Sequence, residues 1–71
     1  MTRRELVDGL RAGRTYAVTE REAPIAAMLL DLVRRGAPIE VASPSDEYRS
    51  VRFREKKGAT WPDDDTLGLR N

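Results

Sequence analysis

The chain has no cysteine and no histidine. Without cysteine there is no disulfide framework and no thiolate metal site, a usage that suits a reducing cytoplasm. Without histidine, the commonest general base and the commonest metal ligand are missing. Serines, threonines and aspartates remain, but nothing is placed to activate a nucleophile, and no lysine sits in an apolar stretch. There is no glycine-rich phosphate loop. No enzyme activity, cofactor, metal or small-molecule substrate is therefore expected. The longest apolar stretch, Pro24 to Gly36, is far shorter than the roughly 20 residues that span a membrane. Met1-Thr2-Arg3-Arg4 lacks the apolar core of a signal peptide. A cytoplasmic protein with no membrane contact is the expectation. Neither sign of charge dominates, since 13 Lys and Arg stand against 12 Asp and Glu for a net +1. What the charge does show is segregation. Arg49, Arg52, Arg54, Lys56 and Lys57 cluster against Glu55 alone, and Asp63, Asp64 and Asp65 follow in the tail.

The chain's 71 residues make one domain. A chain of that size buries only roughly 60% of its unfolded surface, so its margin of stability is thin. A homodimer or a docked partner would widen it. The expected organisation is a core over residues 1–57 and a tail over 58–71 held back on the body by Trp61.

Pro24 to Gly36 is the stretch around which the chain is organised. Ile25, Met28, Leu29, Leu32 and Val33 fall on one helical face, and Ala26, Ala27 and Leu30 make part of the other side apolar. Such a helix is packed from more than one direction. Gly36 ends it, and Pro38 follows as a stop. Its start is open. Thr19-Glu20-Arg21-Glu22 fits a capping box, yet Pro24 would then lie inside the helix, where it removes a hydrogen bond. Either the helix starts near Pro24 after a separate turn, or it starts at Glu20 and bends. One segment with an irregular first turn is preferred.

Ahead of it, residues 2–12 read as a helix with Thr2 and Glu5 in capping-box spacing. Leu6, Val7 and Leu10 give it a narrow apolar stripe, Gly9 weakens its interior, and Gly13 is placed for a left-handed cap. Arg14 to Val18 alternates like a strand, with Tyr16 and Val18 on one face. Ile39 to Ala42 alternates again. Ser43-Pro44-Ser45-Asp46 carries proline at the second position of a type I turn. Residues 48–54 form a second alternating run, with Val51 and Phe53 on one face and Ser50, Arg52 and Arg54 on the other. Glu55 to Gly58 reads as a turn. Asp63 or Asp64 is able to cap a last short helical turn, and Leu67 and Leu69 are able to dock.

The fold expected is α+β: helix, strand, helix, strand, strand, with a three-stranded antiparallel sheet packed on the central helix and the first helix packed alongside. Its core is Leu6, Leu10, Val18, Ile25, Met28, Leu29, Leu32, Val33, Ile39, Val41, Val51 and Phe53.

The basic hairpin is the main functional clue. Alternating arginines give a sheet one charged face, and a two-stranded ribbon fits the DNA major groove. Arg49, Arg52, Arg54, Lys56 and Lys57 are the candidate residues for nucleic acid or another anionic partner. Arg3 and Arg4, and the aspartates 63–65, are candidate secondary contacts. The same strand pattern also serves simply to keep an exposed face solvated.

From Val18 to Phe53 the chain resembles the Phd/YefM antitoxin family. Leu-Leu-Asp-Leu-Val-Arg-Arg-Gly closes the helix, Ala-Pro-Ile-Glu-Val follows, and Arg-Ser-Val-Arg-Phe supplies a second hairpin strand. The resemblance implies a dimeric DNA-binding domain that represses its own operon and neutralises a toxin. That family normally begins with the strand, whereas here a helix precedes it. Val18 to Ala23 and Val33 to Gly36 are also similar to parts of the small winged-helix excisionases and related phage regulators. The rival class is a phage-encoded protein inhibitor of the anti-CRISPR kind, which blocks a host protein or nucleoprotein complex. Small size, absent catalytic residues and two opposite charge patches suit it.

Overall fold

A computed structural model of the chain describes residues 1–45 and 50–69. Helix α1 spans Arg3–Arg11 and strand β1 spans Tyr16–Val18. A 3₁₀ turn over Glu20–Glu22 leads into helix α2, Ala23–Arg34. Strands β2, Ile39–Ser45, and β3, Ser50–Glu55, follow, and a short helix α3, Asp64–Leu67, closes the chain. The three strands form one antiparallel sheet in the order β1-β3-β2. Both outer strands run antiparallel to β3. They are therefore parallel to each other, and α2 is the crossover that joins them around an inserted central strand.

The local signals for α1 act as read. Thr2 Oγ1 accepts from Glu5 N and the Glu5 carboxylate accepts from Thr2 N, each at 3.1 Å. Gly13 and Gly36 take positive φ, +88° and +92°, just past α1 and α2. That left-handed backbone is open to glycine at little cost and halts each helix.

The start of α2 departs from the preferred single segment. Glu22 folds its carboxylate back onto Thr19, taking the backbone N–H at 3.1 Å and the hydroxyl at 3.0 Å. This closes a separate 3₁₀ turn. The α-helix begins only at Ala23, with Pro24 in its first turn, where no intrahelical N–H is needed.

Strand β2 also departs from expectation. It continues through Ser43, Pro44 and Ser45, where a turn was anticipated. The ladder absorbs the proline by a register irregularity between Val41 and Pro44, on an outer strand where proline is tolerated. The rest of that expected turn, and the Tyr48 and Arg49 end of the second run, lie outside the described residues.

Register assigns the faces. Tyr16 and Val41 both stand opposite Phe53, Val18 opposite Val51, and Ile39 opposite Glu55. This face meets the helices. The core is Leu6, Val7, Leu10, Val18, Leu29, Leu32, Ala37, Ile39, Leu67 and Leu69, with Tyr16, Ile25, Ala26, Met28, Phe53 and Trp61 packed against it. Helix α1 contributes three of the fully buried side chains, whereas α2 contributes Leu29 and Leu32. The sheet is thus covered by both helices and by the C-terminal turn.

Val33, Val41 and Val51 are not core residues; they are 47%, 54% and 38% exposed. Val41 and Val51 point to the helical side, but the helices cover the sheet from β1 across to the Ile39 end and leave this corner open. Val33 lies on a flank of α2 that the described residues cover only in part.

The last segment is built into the body. Asp63 Oδ1 accepts from Thr66 N at 2.8 Å and caps α3. Leu67 is fully buried and Leu69 nearly so. Trp61 donates through Nε1 to Glu55, and the Arg11 guanidinium lies 5.1 Å from the centre of its ring, within cation–π reach.

Candidate functional site

The face of the sheet turned away from the helices carries Ala17, Glu40, Arg52 and Arg54. Ala17, Arg52 and Arg54 are exposed and Glu40 is half-buried. Strand alternation puts Arg52 and Arg54 on the same side of the central strand, one pleat repeat apart. Lys56 follows at the same interval. Its N–H donates to Pro38 O at 2.9 Å, which ties the chain to β2's entry one residue beyond the strand.

The two arginines differ in surroundings. Arg54 stands opposite Glu40 in the ladder, and its Nε donates to Glu40 Oε1 at 3.1 Å. Arg52 faces Ala17 on one side and the β2 irregularity on the other. No carboxylate lies within ion-pair distance of it among the described residues. Lys56 and Lys57 likewise have no ion pair among them. Beside this row lies an open depression of about 750 Å³, lined by Gly13, Thr15, Glu40, Arg54, Glu55, Lys56 and Lys57. Arg49, the remaining member of the expected cluster, lies outside the described residues. Arg52, Arg54, Lys56 and Lys57 are therefore brought onto one surface. Glu40 joins them through strand register, and Thr15 lines the same depression; alternation within a single strand does not reveal either.

The expected secondary contacts are used inside the chain. Arg3 Nη2 meets Asp31 Oδ2 at 2.8 Å, and its Nη1 donates to Leu67 O at 3.1 Å. Arg4 Nη1 lies 3.4 Å from Asp64 Oδ2, and Arg11 Nη1 lies 3.9 Å from Asp64 Oδ1. Arg35 reaches Asp31 at 2.8 Å and Thr66 O at 3.3 Å. Asp63 caps α3, and Asp65 sits in that helix's first turn. The N-terminal arginines and the acidic tail are complementary halves of one internal seam.

Three carboxyls titrate below their ordinary range. The Arg35 hydrogen bond, then the nearby arginine charges, hold Asp31 down. Thr66 does the same for Asp63 through its side chain and backbone N–H, and Thr2 for Glu5 through its backbone and side chain. All three are structural carboxylates, none on the basic face. Among the described residues, no group of three Asp or Glu is placed to hold a metal ion, and no helix is long and apolar enough to cross a membrane.

No family model, no curated protein and no solved structure matches this chain.

Proposed function

We propose that this is a non-enzymatic regulatory binding protein that engages DNA through the open face of its sheet. The observation that carries the reading is the row Arg52, Arg54, Lys56 along and just beyond the central strand, exposed and covered by no helix among the described residues. Ala17 beside Arg52 is too small to obstruct an approaching phosphate backbone. Arginine suits such contacts because its planar fork grips two oxygens of one phosphate. The likeness of Val18–Phe53 to the Phd/YefM antitoxins points to operator DNA as the target. Binding by this face alone is electrostatic and carries little sequence information.

The test is a titration of a fluorescent DNA duplex, followed by anisotropy over a salt series. With three or four cations at phosphates, the log–log salt slope is about −3. Arg52→Glu with Lys56→Glu should weaken binding at least tenfold at low salt. Absence of binding at low salt, or binding indifferent to that double change, would refute the DNA reading.

One observation favours the rival reading, a protein inhibitor. Glu40 stands among Arg54, Lys56 and Lys57 around the depression and pairs with Arg54, and such a mixed surface suits a protein partner better than a uniform polyanion. A stoichiometric protein complex recovered from nuclease-treated lysate, with no affinity for bare duplex, would replace the first reading with this one.

A further inference from the structure

We infer that the outer edge of β2 takes an extended segment of a partner protein as a fourth, antiparallel strand, with an apolar side chain beside Val41 and a basic one beside Glu40. The hydrogen-bonding phase of the ladder carries this. Lys56 N donates to Pro38 O at 2.9 Å, and Ile39, Glu40 and Val41 stand opposite Glu55, Arg54 and Phe53 in the same register. Antiparallel pairs alternate between bonded and non-bonded ones. Pro38 and Glu40 therefore turn their main-chain groups to β3, and Ile39 and Val41 turn theirs to the free edge. The Ile39 N–H is taken by Ala37 O at 2.9 Å. The Ile39 carbonyl and both main-chain groups of Val41 are left facing outward, with no partner among the described residues.

That arrangement selects the occupant. A donor and an acceptor on one residue, with a second acceptor two residues back, are met by the main chain of a strand and not by a phosphate or a lone cation. The template is short. Pro44 has no N–H, and the ladder shifts between Val41 and Pro44, which blunts the edge beyond Val41. By the same phase β1, the other outer strand, turns only Ala17 outward over its three residues. Alternation then sets the side chains of the docked strand. Val41 is 54% exposed at the corner that the helices leave open beside Val51, so an apolar side chain opposite it removes that surface from water. The next residue of the docked strand lies on the other face, beside Glu40. Glu40 gives Oε1 to Arg54, and its Oε2 has no hydrogen bond among the described residues, so lysine or arginine fits there. The contact is small, and the binding is correspondingly weak. It does not rest on what the row Arg52, Arg54, Lys56 binds.

The test is an NMR titration of the isotope-labelled chain with a capped synthetic peptide, Thr-Thr-Val-Lys-Val-Thr, whose first valine is designed to face Val41 and whose lysine faces Glu40. In the free chain the Val41 amide should exchange with solvent as fast as an unbonded one. Saturating peptide should slow it at least tenfold, with shifts centred on residues 39–41. Methylating the backbone nitrogen of the peptide's first valine removes one main-chain donor and alters no side chain, and should weaken binding at least tenfold. Glu40→Lys should weaken it at least fivefold, with the circular dichroism spectrum unchanged because the Glu40–Arg54 pair lies at the surface. No saturable binding, or equal binding of the methylated peptide, would overturn the proposal. Protection of the Val41 amide in the chain without peptide would overturn it too: if protection grows with the chain's own concentration the edge belongs to a second copy, and if it does not the edge is closed within the chain.

Discussion

The Tyr16 ring lies over Gly9 of α1 so closely that a Cβ on Gly9 would overlap the phenol oxygen and come within 2.8 Å of Cζ. In the sequence this glycine is only a weak point, worth about 1 kcal/mol against alanine in a helix. In the fold it is the seat that lets strand β1 close on α1. The two accounts predict opposite signs. Gly9→Ala should destabilise the protein by about 1 kcal/mol in urea denaturation, because overpacking costs more than helix propensity returns. In a Tyr16→Ala background the same change should stabilise. A stabilising Gly9→Ala in the wild type would contradict the packing of Tyr16 on α1.

Leu67 belongs to the core although it lies only a few residues from the end of the chain. Leu67→Ala should cost about 2–5 kcal/mol, as for other fully buried leucines. Leu6→Ala, at the other end of the chain, should cost as much. A domain of this length has only about 4–10 kcal/mol in hand. Either change should lower the melting temperature by tens of degrees or abolish the cooperative transition; a wild-type melt would remove the C-terminal turn from the core.

Acid should loosen the structure in a defined window. Asp31, Asp63 and Glu5 have pKa values lowered by folding. The folded state therefore binds fewer protons than the unfolded one at these sites. Their contribution is complete above the ordinary carboxylate pKa of about 4 and is lost as pH falls through the lowered values. Melting temperature should be flat from neutral pH to about 5 and fall below it. Asp31→Asn should flatten part of that fall. A melting temperature that rises on acidification would reverse the sign of these shifts.

Arg52 and Arg54 should matter little to stability. Both are exposed, and the only partner of either among the described residues is Glu40, in a surface pair. Such pairs contribute about 0–1 kcal/mol. Arg52→Ala should leave the denaturation midpoint unchanged, and Arg54→Ala should shift it by less than about 1 kcal/mol. Should Arg52→Ala unfold the chain, its row would be a structural feature and not an open binding face.

The elements legible in the sequence are those made by neighbours in the chain. The Thr2–Glu5 box, the glycine stops after α1 and α2, the alternation in β1 and β3 and the Asp63 cap each need only a few consecutive residues. So the element order and the α+β class, and the side of β3 on which Arg52 and Arg54 stand, were determined by the sequence itself. Only the tertiary structure decided the strand order β1-β3-β2, which pairs Arg54 with Glu40 and leaves Arg52 without an ion pair among the described residues. It alone decided that Val7 and Leu67 are buried while Val33, Val41 and Val51 are not. It alone turned Arg3, Arg4 and the acidic tail into one internal seam. Periodicity tells which side chains share a face; how far a neighbouring layer extends over that face, and which charges meet across it, depend on contacts between residues distant in the chain.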